Sequence, residues 1–280
     1  MDHSSCSGCS LCLLVCPVWR ETRDVRLTPR GRAKAMQHGA SARDIAASIA
    51  ACTLCGACEP ACPEELPLVA MIMGLRREAP LPVAALRSSS ERKSLLLAGR
   101  MLGRDETRRQ RTLALLGEGF ELAEDDGSDV AAALESGAPV LQGRLERFLD
   151  CVGSAKRLVV AEGILLRPLR EWLPRASVTS LGEFLSKKME VRSKLRASDL
   201  YVIETRAFHA DHRRLVGHYD ALRASSGCEM NLDLQRIAIP AMQARWILEG
   251  RRVARIVVED LGDCSAFSFA AAPVMHLADL

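Results

Sequence analysis

Aromatic side chains make up only 4% of the 280 residues, and no apolar run approaches the roughly 18–20 residues that span a bilayer. The first residues, Met1 to Ser5, lack the basic and apolar stretches of a secretory leader. Together these absences give the expectation of a cytoplasmic protein without a transmembrane segment, reaching the inner face of a membrane only within a complex. No Gly-x-Gly-x-x-Gly run is present, so a flavin or nicotinamide belongs on a partner. Charge is nearly balanced, with 38 Lys and Arg against 35 Asp and Glu, and basic residues do not interleave with aromatics. No nucleic-acid partner is therefore expected.

Cysteine is plentiful but concentrated. Eleven are present, and after Cys62 only Cys151, Cys228 and Cys264 remain. A disulfide framework suits short secreted chains, so clustered thiols in a reducing compartment point to metal. The first run reads Cys6-Ser7-Gly8-Cys9-Ser10-Leu11-Cys12-Leu13-Leu14-Val15-Cys16-Pro17, and the second Cys52-Thr53-Leu54-Cys55-Gly56-Ala57-Cys58-Glu59-Pro60-Ala61-Cys62-Pro63. Both have the form C-x2-C-x2-C-x3-C-P. Three cysteines two residues apart wrap three corners of a 4Fe–4S cube, and in two-cluster ferredoxins the fourth ligates the other cluster. The expectation is two 4Fe–4S clusters, one on Cys6, Cys9, Cys12 and Cys62, the other on Cys52, Cys55, Cys58 and Cys16. Zinc, which takes four ligands from paired C-x2-C units, is the weaker alternative.

Thirty-five residues separate Cys16 from Cys52. They include a polar turn, Thr28-Pro29-Arg30-Gly31-Arg32, and a helix expected from an N-cap at Ser41 through Ile45, Ile49 and Cys52. A second helix is expected over Leu66 to Arg77. Cys16-Pro17-Val18-Trp19-Arg20, the Thr28–Arg32 turn and Cys55-Gly56-Ala57-Cys58-Glu59 make residues 4–80 resemble the iron–sulfur subunits of glycolate oxidase, anaerobic glycerol-3-phosphate dehydrogenase and heterodisulfide reductase. The resemblance implies electron transfer between a flavoprotein or other catalytic oxidoreductase partner and a quinone or soluble redox carrier.

Beyond Leu81, Arg87 to Arg111 carries eight basic and three acidic residues and reads as amphipathic helices with a solvated basic face; docking of an acidic partner or of lipid headgroups is the sharper alternative. Glu118 to Glu135 has seven acids and no bases, with Asp125-Asp126-Gly127-Ser128 as a boundary loop. Two later segments look alike: Arg157 to Gly163 leading to Val178–Leu185, and Arg255 to Gly262 leading to Val274–Leu280. Each opens on a β-branched run, and Leu200–Glu204 adds another strand before a helix from His209 to Leu222, which argues for a parallel α/β domain. The expected division is a helical dicluster ferredoxin domain at 1–80, a helical linker at 81–136 and an α/β domain with an internal pseudo-repeat at 137–280.

Val274, His276, Leu277 and Leu280, with Tyr219-Asp220-Ala221-Leu222-Arg223, make that last domain similar to the cysteine-rich "CCG" domains of the same families, in degenerate form. Glu162-Gly163 stands where the resemblance implies cysteine, and Phe208–Asp211 replaces a cysteine-bearing motif. Cys151, Cys228 and Cys264 read as buried inert thiols, with coordination by Cys264 and His209 or His212 as the alternative. His209 and His212, three apart beside Asp211, read as surface or helix-start residues or as a ligand pair. No chemical role is evident for Met230–Arg236. The leading functional expectation is a non-catalytic electron-transfer subunit. A heterodisulfide-reductase-like catalyst with a centre in the C-terminal half, and an iron–sulfur sensor or assembly factor, are the alternatives.

Overall fold

Proline sets the helix starts of the N-terminal region. In the computed structural model, which describes residues 3–79 and 94–280, Pro17 opens helix Pro17–Thr22, Pro29 opens Pro29–Gln37, and Pro67 precedes Leu68–Glu78. A ring that fixes φ and lacks an N–H suits the first helical turn, whose amides have no intrahelical acceptor. Thr28 completes the second start by accepting from Gly31 N, and a Cβ on Gly31 would lie 2.0 Å from Val25 O. Those contacts explain the Thr-Pro-Arg-Gly order. The expected Ser41 helix start is corrected: Ser41 and Asp44 bond each other in a turn, and the helix runs Ala46–Ala51. Residues 3–79 form one unit with 129–140.

The second unit comprises residues 94–128 and 141–280. Its strands are β1 (Ser94–Leu97), β2 (Glu121–Leu122), β3 (Arg157–Val160), β4 (Ser177–Ser180), β5 (Asp199–Val202), β6 (Glu229–Met230), β7 (Arg255–Val258) and β8 (Val274–His276). They form two parallel four-stranded sheets, β2-β1-β3-β4 and β6-β5-β7-β8. The central strands are short apolar runs because helices leave them no solvated face. Alternate residues divide the packing. Leu96, Val159, Tyr201 and Val257 share one core that joins the sheets, while Leu200, Val202, Ile256 and Val258 pack with Phe267 on the other side of the second sheet.

The helical linker expected over 81–136 is therefore corrected where it is described. Leu95–Leu97 form a central strand, with Leu96 and Leu97 completely buried, and Leu95 pairs Leu158 and Glu121. Four residues cannot distinguish helix from strand by periodicity, and burial on both sides decided it. Asp125 to Gly127 lie in a loop ahead of helix Ser128–Ser136, and within it Asp125 is buried and forms a two-pronged ion pair with Arg144, 2.7 and 2.8 Å. The chain crosses between units at 128/129 and again at 140/141, so the α/β unit begins well before residue 137. The part of the expected basic segment over 87–93 lies outside the described residues.

The sheets match in their helix starts too. Ser180, at the end of β4, accepts from Glu183 N, and His276, at the end of β8, accepts from Ala278 N. Burial lowers the His276 pKa to about 4, so the ring is neutral. With Nδ1 accepting, Nε2–H donates to Glu259 O at 3.1 Å. The acid three residues after each cap binds an arginine from the other sheet's half: Arg214 on Glu183, and Arg108 on Asp279.

Candidate metal centre

Each cysteine run folds as a loop whose backbone enters the left-handed region twice, at matching places. Two residues after the first cysteine stand Gly8 (φ 80°) and Leu54 (φ 55°); one residue after the second stand Ser10 (φ 72°) and Gly56 (φ 76°). Alternation of left- and right-handed residues turns successive N–H groups inward and makes an anion-binding concavity. A left-handed Leu or Ser is unfavourable by about 1 kcal/mol, so surrounding contacts must hold the loops.

Those contacts come largely from cations and amides that sequence reading did not single out. Gln37 Nε2 donates to His3 O, Ser4 O and Cys6 O at 2.6–3.1 Å, and Lys34 Nζ donates to Cys6 O. Arg76, 3% exposed, donates to Cys52 O and Ile49 O. Arg32, buried likewise, donates to Leu27 O and Ser48 O, each at 2.9 Å. Gly137, from the 129–140 segment, lies flat against Arg76, where a Cβ would be 1.7 Å from Arg76 Cβ. Buried arginine on a carbonyl is a strong charge-assisted bond. The only sequence signal was basic residues within the Thr28–Lys34 and Arg76–Arg77 stretches.

Two hollows result. One, of about 600 Å³ with its mouth, is lined by Cys16, Cys52, Cys55 and Cys58; the other, of about 360 Å³, by Cys6, Cys9, Cys12 and Cys62. Each thus gathers three cysteines of one run and the last of the other. Pro29 and Leu68 line both, so the first residues of two helices stand between them. Helix N-termini favour negative charge. The apolar wall of the first hollow includes Val18, Leu54, Met71, Ile72 and Leu75; the second is smaller, and Cys9 is exposed.

Burial raises the pKa of both Cys12 and Cys55 to about 11, partly offset by backbone hydrogen bonds from Arg30 and Ala57 respectively. Cys16 and Cys58 are raised by burial too. Thiols so placed keep their protons at neutral pH, and a metal that binds them as thiolates displaces those protons. Among the described residues, no three His, Cys, Asp or Glu side chains converge as a site for a single ion. The donor set, eight thiols in two groups of four beside inward-turned amides and helix starts, fits iron–sulfur clusters.

Residues 2–66 match the family described as a 4Fe-4S dicluster domain. No curated protein and no solved structure matches the chain. The N-terminal region is a 4Fe–4S dicluster domain, and such a domain fits an electron-transfer iron–sulfur role. No helix among the described residues is long and apolar enough to cross a membrane.

The other candidate ligands lie apart from this. His209 Nε2 accepts from Ala238 N, and His212 Nε2 donates to Arg236 O, so the stacked pair pins the loop after β6. Within that loop Asn231 is fully buried and bonds Ile203 N, Ile203 O and Ile239 O, which supplies the role the sequence did not reveal for Met230–Arg236. Cys264 is half-buried beside Asp263 and Arg108 rather than the histidines. Cys151 and Cys228 are buried.

Carboxylates occupy the strand ends instead. Glu162 follows β3, Glu204 follows β5, and Glu259 follows β7. Each end flanks the place where strand order reverses, where open α/β sheets hold ligands. Here the space is filled. A Cβ on Gly163 would meet Glu204 Oε2 at 1.9 Å, and one on Gly182 would meet Glu259 Cδ at 2.1 Å. Glu259 accepts from Tyr201 Oη, Tyr219 Oη and Glu204 N; Glu204 accepts from Arg206 N and Ala207 N. Burial raises both carboxyls to about 7.

Proposed function

We propose that the chain is an electron-transfer iron–sulfur subunit of a multisubunit oxidoreductase. It relays electrons through two 4Fe–4S clusters between a flavoprotein or other catalytic partner and a quinone or other redox carrier. Cys6, Cys9, Cys12 and Cys62 hold one cluster; Cys52, Cys55, Cys58 and Cys16 hold the other. The observation that carries this reading is the pair of hollows, each lined by four thiols and sharing the walls at Pro29 and Leu68. Crossed ligation couples both clusters to both loops, so neither needs to move when an electron passes. The clusters supply one-electron chemistry; the chain sets their potentials through burial, hydrogen bonds to sulfur and nearby charge.

The α/β unit serves as the scaffold on which a partner assembles, in keeping with its likeness to a degenerate CCG domain. Its strand-end carboxylates are engaged with tyrosines and backbone amides. The test is anaerobic purification, with iron and acid-labile sulfide counts and EPR after dithionite reduction. The relay predicts about eight irons per chain, two interacting cluster signals and a co-purifying flavoprotein. Two or more additional irons, or substrate turnover by the isolated chain, would refute it in favour of a centre in the C-terminal half.

A further inference from the structure

Three basic side chains around the cysteine loops are engaged with carbonyls: Lys34 on Cys6 O, Arg32 on Leu27 O and Ser48 O, and Arg76 on Cys52 O. Arg30 differs. It lines the hollow of Cys6, Cys9, Cys12 and Cys62, and its buried Nε has no hydrogen-bond partner among the described residues. A buried N–H of a guanidinium left without an acceptor is costly and calls for an explanation.

The local structure supplies one. Arg30 is the second residue of helix Pro29–Gln37. Pro29 has no N–H, Gly31 N is taken by Thr28 Oγ1, and the backbone N–H of Arg30 is turned to Cys12. Backbone and side chain of this residue therefore approach the same group of thiols. A Cβ on Gly8 would clash with Lys34 Cε at 2.7 Å and lie in ordinary contact, 4.0 Å, with Arg30 Nε, which places the guanidinium beside the first cysteine loop. Glu64, the acid lining this hollow, is exposed. The other hollow has Arg32 in its wall, but Arg32 Nη1 is spent on Leu27 and Ser48.

We propose that Arg30 sets the potential of the cluster held by Cys6, Cys9, Cys12 and Cys62, raising it through its charge and its free donor, without acting comparably on the other. The inference rests on the two-cluster reading above. Reduction adds one electron, hence one negative charge, to the cluster that accepts it. A fixed cation with an uncommitted N–H beside that cluster favours the reduced form. Arginine keeps its charge throughout the accessible pH range, so the effect does not titrate. Arg30 is a tuning residue and not a ligand.

The test is an EPR-monitored redox titration of anaerobically purified holoprotein, wild type against Arg30→Gln, Arg30→Lys and Arg30→Leu, with iron counted in each. Cys9→Ser marks which signal belongs to this hollow. Arg30→Gln is expected to lower that midpoint by roughly a tenfold change in reduction constant, about 59 mV for one electron, while the other stays in place. Arg30→Lys keeps most of the wild-type value. If Arg30→Leu does not load iron, the Gln and Lys variants still decide. Full iron with both midpoints unmoved in Arg30→Gln, or both moved equally, overturns the proposal and leaves the two-cluster reading intact. Wild type with about four irons and a single signal overturns that reading and this inference together.

Discussion

The dicluster unit has thiols, prolines and cations lining its interior hollows, and its loops are held in left-handed turns by Gln37, Lys34 and Arg76. In the α/β unit the interior is Leu, Val, Ile, Tyr and Phe, with Leu96, Leu97, Tyr201 and Val257 completely buried. The first arrangement leaves space for a prosthetic group at the cost of apolar packing. The second closes even its strand ends, where Gly163 and Gly182 admit the side chains of Glu204 and Glu259. One unit should owe its stability largely to bound metal, and the other to hydrophobic burial.

The largest expected effect breaks that comparison on one side only. Cys55→Ser should remove one cluster, lowering the iron count by about half, and raise amide exchange across 46–58 by orders of magnitude. Exchange in β1, β3, β5 and β7 should be unchanged. If those strands open as well, the units do not stabilise themselves separately.

Next in size is the converse. Leu96→Ala deletes a fully buried side chain from the shared core and should destabilise the α/β unit by about 2–5 kcal/mol, with no loss of iron. Thermal unfolding followed by far-UV dichroism, with iron counted beforehand, separates the two effects.

A smaller effect has a sign fixed by Glu204. Burial raises its folded pKa to about 7, above the ordinary carboxyl value, so the folded state binds a proton that the unfolded chain releases. Its stabilising contribution is complete below about pH 4.5 and is lost as pH rises through about 7. Glu204→Gln, neutral at every pH, should flatten that decline and gain on the order of 2 kcal/mol at pH 8. Melting curves at pH 5 and pH 8 check it; an unchanged slope would show that Glu204 is ionised throughout.

The smallest effect sharpens the comparison within the dicluster unit. Ser10→Gly relieves a left-handed residue and should stabilise its loop by about 0.5–1 kcal/mol, against the loss of the Ser10 Oγ bond to Gly8 O. The rate of iron release to a chelator is the readout, expected to slow slightly. Gly56→Ala, at the matching position of the other run, should accelerate it.

Much of the site could be read from the chain because thiol chemistry depends on residue type and short spacing. Cys6, Cys9 and Cys12 are near one another in any compact loop of that length. The repeat of short β-branched runs likewise exposed β3, β5 and β7. Leu95–Leu97 misled because helix and strand are indistinguishable in so short an apolar run, and nothing in the acidic stretch announced that Asp125 is buried. Arg144, which buries Asp125 in an ion pair, lies nineteen residues away with no local pattern to announce it. His276 had a motif-like setting, but its role as a helix cap depends on β8 ending there.

The sequence by itself determined the eight thiols, their grouping into two runs and the parallel α/β character of the C-terminal half. Each follows from local chemistry: sulfur's affinity for iron, and β-branched side chains between turns. Only tertiary structure decided which cysteine of one run lines the hollow of the other, that Arg32, Lys34 and Arg76 hold loops while Arg30 Nε remains uncommitted, and that Glu204 and Glu259 are buried against glycines. Those outcomes join residues far apart in the chain, and the free energy of burying a charge depends on partners that local sequence does not specify.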